Sequence, residues 1–375
     1  MAERLPLQGR RVAQVLATST GGVGTHVRAV LPALRDAGAA VRVCGPRATE
    51  ELFGFTAAGA GFAPVGISAG LAPAADARAV AALRRATADA DLVHAHGLRA
   101  GLVAAAARRL GDRARPLVLT LHNPVPAGRG ALRRVLALAE RATVRGADVV
   151  LAASGDLAEN AWRQGARDVR VAPVSAPPLA APARPAAQVR ARLGLPDGRP
   201  LVLAVGRLHP QKGYDVLLDA AARWAAGPRP PLVAVAGDGP LHGELAARIA
   251  AERLPVALLG RRADVADLLA AADVAVLPSR WEARSLTAQE ALRAGTPLVA
   301  TRTGGLPGLL GDGAELVPPG DAAALADAVS ALLADPARAQ ALAAAGTAQA
   351  ATWPDDAATA RQLVAVYREL LGDPR

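Results

Sequence analysis

The 375-residue chain has a single cysteine, Cys44, a single lysine, Lys212, and aromatic side chains at only 2% of its positions. One cysteine excludes an internal disulfide framework and fits a reducing compartment. The shortage of rings removes the stacking platforms that single-stranded nucleic acid needs. No known reader motif is present either, so no nucleic-acid partner is expected. No run reaches the roughly 18 apolar residues of a spanning helix. The opening MAERLPLQGRR has charge but no apolar signal-peptide core, so the expected location is cytoplasmic. What is abundant is apolar: 52% of residues, mostly Ala, Val and Leu, enough for the cores of two domains.

Acidic residues are scarce in one half only. Residues 1–175 hold 23 arginines against 13 Asp and Glu, the whole of the +10 net charge, whereas 176–375 hold 20 of each sign. A basic half suits an anionic acceptor or an anionic membrane surface, the latter making the protein peripheral on the inner face. An arginine-rich composition that only tunes solubility accounts for it equally. The stretch Ala131–Arg145 reads as a basic amphipathic helix, with Leu132, Val135, Leu136, Ala139 and Thr143 on one side and Arg133, Arg134, Arg141 and Arg145 elsewhere. A sheet-covering helix with a solvated basic face is preferred to a lipid-bound one.

Apolar runs alternate with helical patterns throughout. Strands are expected at Val12–Ala17, Ala40–Cys44, Leu92–Ala95, Pro116–Leu121, Asp148–Ala152 and Val169–Val174. A second series is expected at Leu201–Val205, Leu232–Ala236, Val256–Leu259, Val274–Leu277, Leu298–Ala300 and Leu316–Pro318. Such alternation implies an α/β fold with two doubly wound domains. Residues 172–187 are rich in Pro and Ala, which sets the expected boundaries: a first domain 1–175, a semi-extended linker 176–198, a second domain 199–352 and a final helix within 353–375. That helix, about Asp356–Leu371, carries Leu363, Val366, Tyr367 and Leu370 on one face.

The motifs fall after strands. The first strand runs into Gly21-Gly22-Val23-Gly24, with a helix expected from Thr25 to Ala37. The spacing is not that of a dinucleotide loop, because Val27 stands where the third glycine belongs, and no acid follows the second strand. His94-Ala95-His96-Gly97 closes another strand. No third ligand is spaced to accompany the two imidazoles, so no metal is expected. His122 ends Thr120-Leu121-His122, where a strand-end imidazole can hydrogen-bond a hydroxyl or phosphate. Gly66–Gly70 matches a nucleophile elbow without the helix an elbow needs, and Asp89-Ala90-Asp91 reads as a helix-to-strand turn. In the second half Gly206-Arg207-Leu208-His209-Pro210-Gln211-Lys212-Gly213 follows a strand. A guanidinium fork and an ammonium in a glycine-flanked loop suit two phosphates. Glu282 and Glu290 stand eight apart, in a loop and on the helix Leu286–Arg293, a spacing suited to neighbouring sugar hydroxyls.

From the strand Val274–Leu277 through Pro278-Ser279, both glutamates, Ala294-Gly295-Thr296-Pro297 and Gly304-Gly305, the chain resembles retaining, GT-B-fold glycosyltransferases of family 4. The Gly206–Gly213 loop matches that family's diphosphate loop, and the resemblance covers nearly the whole chain. It implies two Rossmann-type domains facing across a cleft, a nucleotide-diphosphate sugar as donor, a small-molecule or lipid-linked hydroxyl acceptor, and no cofactor. It further implies a catalytic set of Arg207, Lys212, His122 and Glu282. Donor contacts would come from Gly206, Arg207, Lys212, Gly237, Arg261, Glu282, Ala283, Arg284, Ser285, Leu286 and Glu290, and acceptor contacts from Gly22, Val23, Gly24, His96 and His122. Ala283-Arg284-Ser285 departs from the family's usual Gly-Phe-Gly, a change that bears on donor-sugar selectivity. The same fold also serves sugar-nucleotide 2-epimerases, and a non-catalytic nucleotide- or membrane-binding member is the other alternative.

Overall fold

The computed structural model describes residues 5–19, 21–68, 70, 72–124, 130–172, 174, 176 and 179–372, without side chains at 130–133 and 356. Short Val-, Leu- and Ala-rich runs separated by helices are covered on both faces, and such strands pair in parallel. Every ladder here is parallel.

The chain divides into two units, Met1–Pro177 with Pro354–Arg375, and Pro178–Trp353. The first holds β1 (Arg11–Leu16), β2 (Ala40–Gly45), β3 (Gly61–Pro64), β4 (Leu92–His96), β5 (Leu117–Leu121), β6 (Val149–Ala152) and β7 (Val169–Val171), in the order β3-β2-β1-β4-β5-β6-β7. The second holds β8 (Leu201–Val205), β9 (Leu232–Ala236), β10 (Val256–Gly260), β11 (Val274–Leu277), β12 (Leu298–Thr301) and β13 (Glu315–Val317), in the order β10-β9-β8-β11-β12-β13. In each sheet the order reverses beside its first strand, between β1 and β4 and between β8 and β11. Doubly wound sheets bind ligands beyond the carboxyl ends of the strands at that reversal.

Each sheet is sandwiched by helices. In the first unit Leu16, Val27, Leu31, Leu34 and Val43 pack with Leu363, Val366 and Tyr367 of the last helix, Asp356–Leu371. In the second, Val202, Leu217 and Val276 face one helical layer, and Leu203, Leu277, Ala288 and Leu306 face the other. Each fully buried Leu or Val contributes about 1.5–3 kcal/mol.

Five expectations change. The first helix begins at Gly22, not Thr25, so Gly22, Val23 and Gly24 form its first turn instead of a loop. A first turn needs no acceptor four residues back, so poor glycine propensity costs little there. The strand expected to reach Val174 stops at Val171. The short β3, Gly61–Pro64, went unread because a four-residue run edged by Gly and Pro shows no period. The expected linker, 176–198, contains a helix, Ala186–Arg192, and from Pro178 onward belongs to the second unit. Its order comes from Asp267, which accepts from the Ala183 and Arg184 amides at 2.6 and 3.2 Å, and from Arg190, which donates to Ala271 O and Arg199 O. The helix expected at Ala131–Arg145 runs Gly130–Gly146, but Val135 is 50% and Leu138 66% exposed while Glu140, Thr143 and Val144 are buried. Its buried face is thus rotated from the apolar one, since Glu140 has partners inside, Asn160 at 2.7 Å and Gln164 at 3.4 Å.

Candidate functional site

In the second unit two loops at the sheet reversal are tied together. Beyond β8, the Gly206 amide donates to Ala236 O at 3.0 Å and its carbonyl accepts from the Tyr214 hydroxyl at 3.0 Å. Gly237, beyond β9, lies so close that a Cβ on it would sit 1.8 Å from Gly206 O. Arg207 is exposed, and Pro210–Lys212 forms one 3₁₀ turn. Gly213 then turns the chain at φ +66°, where a Cβ would stand 2.1 Å from Pro278 O at the end of β11. That close approach delivers the Lys212 ammonium to Glu282, with Nζ 2.6 Å from Oε1. The Ser279 hydroxyl donates to the same oxygen at 2.7 Å. Gln211 joins the backbone of the two loops, donating from its side chain to Trp281 O at 2.9 Å and accepting at its carbonyl from Arg280 N at 2.8 Å. Glu282 is 7% exposed, and both bonds fall on Oε1, its second oxygen having no partner among the described residues.

The helix Leu286–Arg293 starts directly after this loop, capped by Ser285 Oγ, which accepts from Ala288 N at 3.3 Å. Ala283 and Ser285 are buried, and Leu286 and Glu290 are partly exposed. Burial raises the carboxyl pKa of Glu290 above its ordinary value, against the opposing pull of Arg293. Arg261, beyond β10, is exposed. Arg284 turns inward. Its guanidinium lies over the Trp353 ring at 5.6 Å, beside that of Arg293 at 5.8 Å, and its Nε and Nη2 are buried with no acceptor among the described residues. Burial, with Arg293 adding repulsion, lowers its pKa to about 10.

The first unit gathers histidines where its own sheet reverses. His94 and His96 close β4, His122 follows β5, and His26 comes from the helix Gly22–Asp36. All four are buried, their rings within 5.8 Å of one another along the cluster. His96 has both ring nitrogens occupied, Nδ1 by His122 Nε2 at 3.3 Å and Nε2 by Gln14 Oε1 at 2.7 Å. Gln14 Nε2 donates to the Tyr367 hydroxyl at 2.9 Å, which lies 2.6 Å from His94 Nδ1; His94 Nε2 meets Thr120 Oγ1 at 2.6 Å. Burial lowers the pKa of His26 to about 4 and, with the His26 imidazole adding to it, that of His94 to about 3. It holds His96 and His122 well below the ordinary value too, neighbouring imidazoles adding to the effect. The four are neutral at physiological pH.

Of the sequence-predicted set, Lys212 with Glu282 and His96 with His122 come into direct contact. Gly22–Gly24 lie on the helix that carries His26. His26, Gln14 and Tyr367 were missed. His26 sits two residues past Gly24 and gave a weak signal; Gln14 and Tyr367 are single polar residues inside apolar patterns and gave none. Asp89 and Asp91 pair with Arg42 and with the Arg11 amide at the opposite end of the sheet, and the Ser68 hydroxyl donates to Gly70 O. Among the described residues no group of three or more His, Cys, Asp or Glu is arranged to hold a metal ion. No described helix is long and apolar enough to cross a membrane.

Residues 199–335 match the family described as glycosyl transferases group 1, and residues 21–177 match the glycosyl transferase 4-like domain. A D-inositol 3-phosphate glycosyltransferase of Catenulispora acidiphila is 34% identical over 78% of this chain and 75% of its own length. A 2-deoxystreptamine N-acetyl-D-glucosaminyltransferase of Streptomyces fradiae is 36% identical over 66% of this chain and 63% of its own. The fold matches sucrose-phosphate synthase of Thermosynechococcus elongatus, with a TM-score of 0.78, 24% identity and 96% and 99% of the two chains covered. It also matches Anabaena HepE in complex with UDP-glucose, with a TM-score of 0.80, 22% identity and 96% and 99% covered. Two parallel doubly wound sheets, two family matches and a relative of this identity and coverage place the chain in glycosyltransferase family 4, and it is an enzyme of that type.

Proposed function

We propose that the enzyme moves a sugar from a nucleoside-diphosphate sugar to a hydroxyl of an anionic acceptor, with retention at the anomeric carbon and without a metal. The observation that carries this reading is the Lys212–Glu282 pair at 2.6 Å, which joins the diphosphate-type loop to the first glutamate of the E-x7-E segment. As the sugar leaves, negative charge accumulates on the diphosphate. A preorganised ammonium and a guanidinium, Lys212 and Arg207, neutralise it, and the open amides of Leu286 and Thr287 at a helix start add to them. The carboxylate of Glu282 is held by Lys212 and Ser279. Both bonds fall on Oε1, so Oε2 accepts from the sugar hydroxyls. Glu290 holds the ribose, Gly206 and Gly237 keep the floor free of side chains, and Arg261 meets the base. Ala283, Arg284 and Ser285 shape the sugar pocket. The first unit contributes His122, His96, Gly22, Val23 and Gly24 for the acceptor.

An anionic acceptor is supported by the arginine surplus of residues 1–175 and by the inositol phosphate named for the Catenulispora relative. The same surplus supports a cytoplasmic enzyme that rests on the inner face of a membrane. The test is to incubate purified protein with UDP-, GDP- or ADP-glucose and inositol 3-phosphate, following nucleotide release and the anomeric coupling of the product by NMR. Release that depends on acceptor, with an α-linked product from an α-linked donor, supports the reading. Failure of every nucleotide to raise the melting temperature at millimolar concentration, with no release, overturns it.

A further inference from the structure

We infer that a one-directional hydrogen-bond chain, begun by Tyr367 and Gln14, holds His122 as the Nε2–H tautomer and so presents its Nδ1 as an acceptor. The inference rests on the reading above for what that acceptor meets, a substrate hydroxyl, but not for the tautomer itself. Gln14 is the one link whose two ends differ chemically: its carbonyl only accepts and its amide nitrogen only donates. Oε1 lies 2.7 Å from His96 Nε2, so that nitrogen carries the proton. A neutral imidazole has one proton, so His96 Nδ1 is bare and accepts across 3.3 Å from His122 Nε2–H. His122 Nδ1 is therefore bare in turn. In the other direction Gln14 Nε2 donates to the Tyr367 oxygen at 2.9 Å, freeing the phenol proton for His94 Nδ1 at 2.6 Å. His94 then donates from Nε2 to Thr120 Oγ1 at 2.6 Å.

Each tautomer is thus dictated by its neighbour, and the chain is buried enough that water does not compete. Tyr367 is 0% exposed, Gln14 0%, His94 0% and His96 3%. His122, at 9%, is the link with most exposure, and Nδ1 has no partner among the described residues. A bare nitrogen accepts from a hydroxyl and repels a phosphate or carbonyl oxygen, so the chain selects what His122 can bind. Tyr367 and Gln14 are positioning residues that act through His96.

Nitrogen-15 correlation spectra of the imidazole rings in the intact enzyme test this directly, with the six histidines assigned by single substitutions. The expected result is the Nε2–H signature for His94, His96 and His122. Turning the Gln14 amide end for end would reverse every bond, so Nδ1–H at His122 overturns the inference, as does a signal averaged between tautomers. Tyr367→Phe keeps the ring but removes the acceptor for Gln14 and the donor for His94. It is expected to give averaged tautomers at His96 and His122 and about a tenfold loss of kcat/KM in sugar transfer. Gln14→Leu cuts the same chain from a strand and replaces Tyr367→Phe if that variant does not fold. Unchanged His122 signals in a folded variant overturn the inference. Tautomers as stated in an enzyme that transfers no sugar would leave the inference standing and sink the transfer reading instead.

Discussion

The two polar centres of this enzyme are built on opposite principles. In the first unit, three imidazoles, an amide, a phenol and a hydroxyl are hydrogen-bonded to one another, a fourth imidazole, His26, packs against them, and burial keeps the imidazoles neutral. In the second, the candidate groups are charged. Lys212 is matched to Glu282, while Arg207 and Arg261 are exposed, with no carboxylate partner among the described residues. Under the proposed function the first centre meets a hydroxyl, which calls for orientation, and a neutral hydrogen-bonded network supplies it. Under the same proposal the second meets a diphosphate, which calls for field, and cations left unneutralised supply it. The same strand-end geometry serves both.

Breaking the charged centre has the largest expected effect. Lys212→Ala removes the cation and leaves the 7%-exposed Glu282 carboxylate with only Ser279 as partner. Sugar transfer should fall by about 10²–10³ in kcat. Glu282→Gln in the same background should add less than its separate effect, because the two side chains act as a pair. Additive losses in steady-state kinetics would show that they do not.

Acid separates the two centres next. The imidazoles titrate near 6.5 in the unfolded chain, but His26 at about 4 and His94 at about 3 in the folded one. Between those limits the unfolded state binds more protons, so stability is full above about 6.5 and is lost as pH falls toward 4. Hydrogen exchange measured from pH 7 to 4 should therefore show β4 and β5 losing protection before β8 and β11. Simultaneous loss in both units would show that the imidazoles do not govern acid stability.

Gly213→Ala comes third. Its backbone at φ +66° and the Pro278 carbonyl 2.1 Å from a new Cβ leave no place for a methyl group. A loss of about 1–3 kcal/mol is expected in denaturant unfolding, together with a raised KM for donor as Lys212 moves. Unchanged values for both would mean that the loop adapts freely.

The smallest change runs the other way. Arg284→Phe removes two buried nitrogens, Nε and Nη2, that have no acceptor among the described residues while keeping a flat group against Trp353. Stabilisation of about 1–2 kcal/mol is expected, read as a higher melting temperature; a lower one would mean that the arginine has a partner in solution.

Much of the charged centre was legible, because its chemistry is local: Lys212 is the chain's only lysine, bracketed by glycines, and Glu282 stands in a loop eight residues before Glu290 on the helix that follows. The alternation of strands and helices likewise gave the α/β class and twelve of the strands, though not the brief Gly61–Pro64. The neutral centre was half visible. His96 and His122 end strands and so announced themselves, but the partner that orients them lies 353 residues from Gln14 in sequence. A buried Tyr on a helix face has the pattern of an ordinary core residue, and only the fold brings it to a strand. Composition also misled at 176–198, where Pro and Ala suggested a linker although Asp267 and Arg190 supply the bonds that order it.

The return of the last helix to the first unit also sets an order of assembly. Residues 5–172 emerge from synthesis long before Leu363, Val366 and Tyr367 exist to complete their core. Until residue 371 has been made, Gln14 and His94 have a buried polar group without its partner, and the surface that will receive the helix is apolar and open. The second unit, continuous from 178 to 353, has all its own strands in hand by then. The part made first is thus the part finished last, which makes the nascent first unit the natural client of a chaperone.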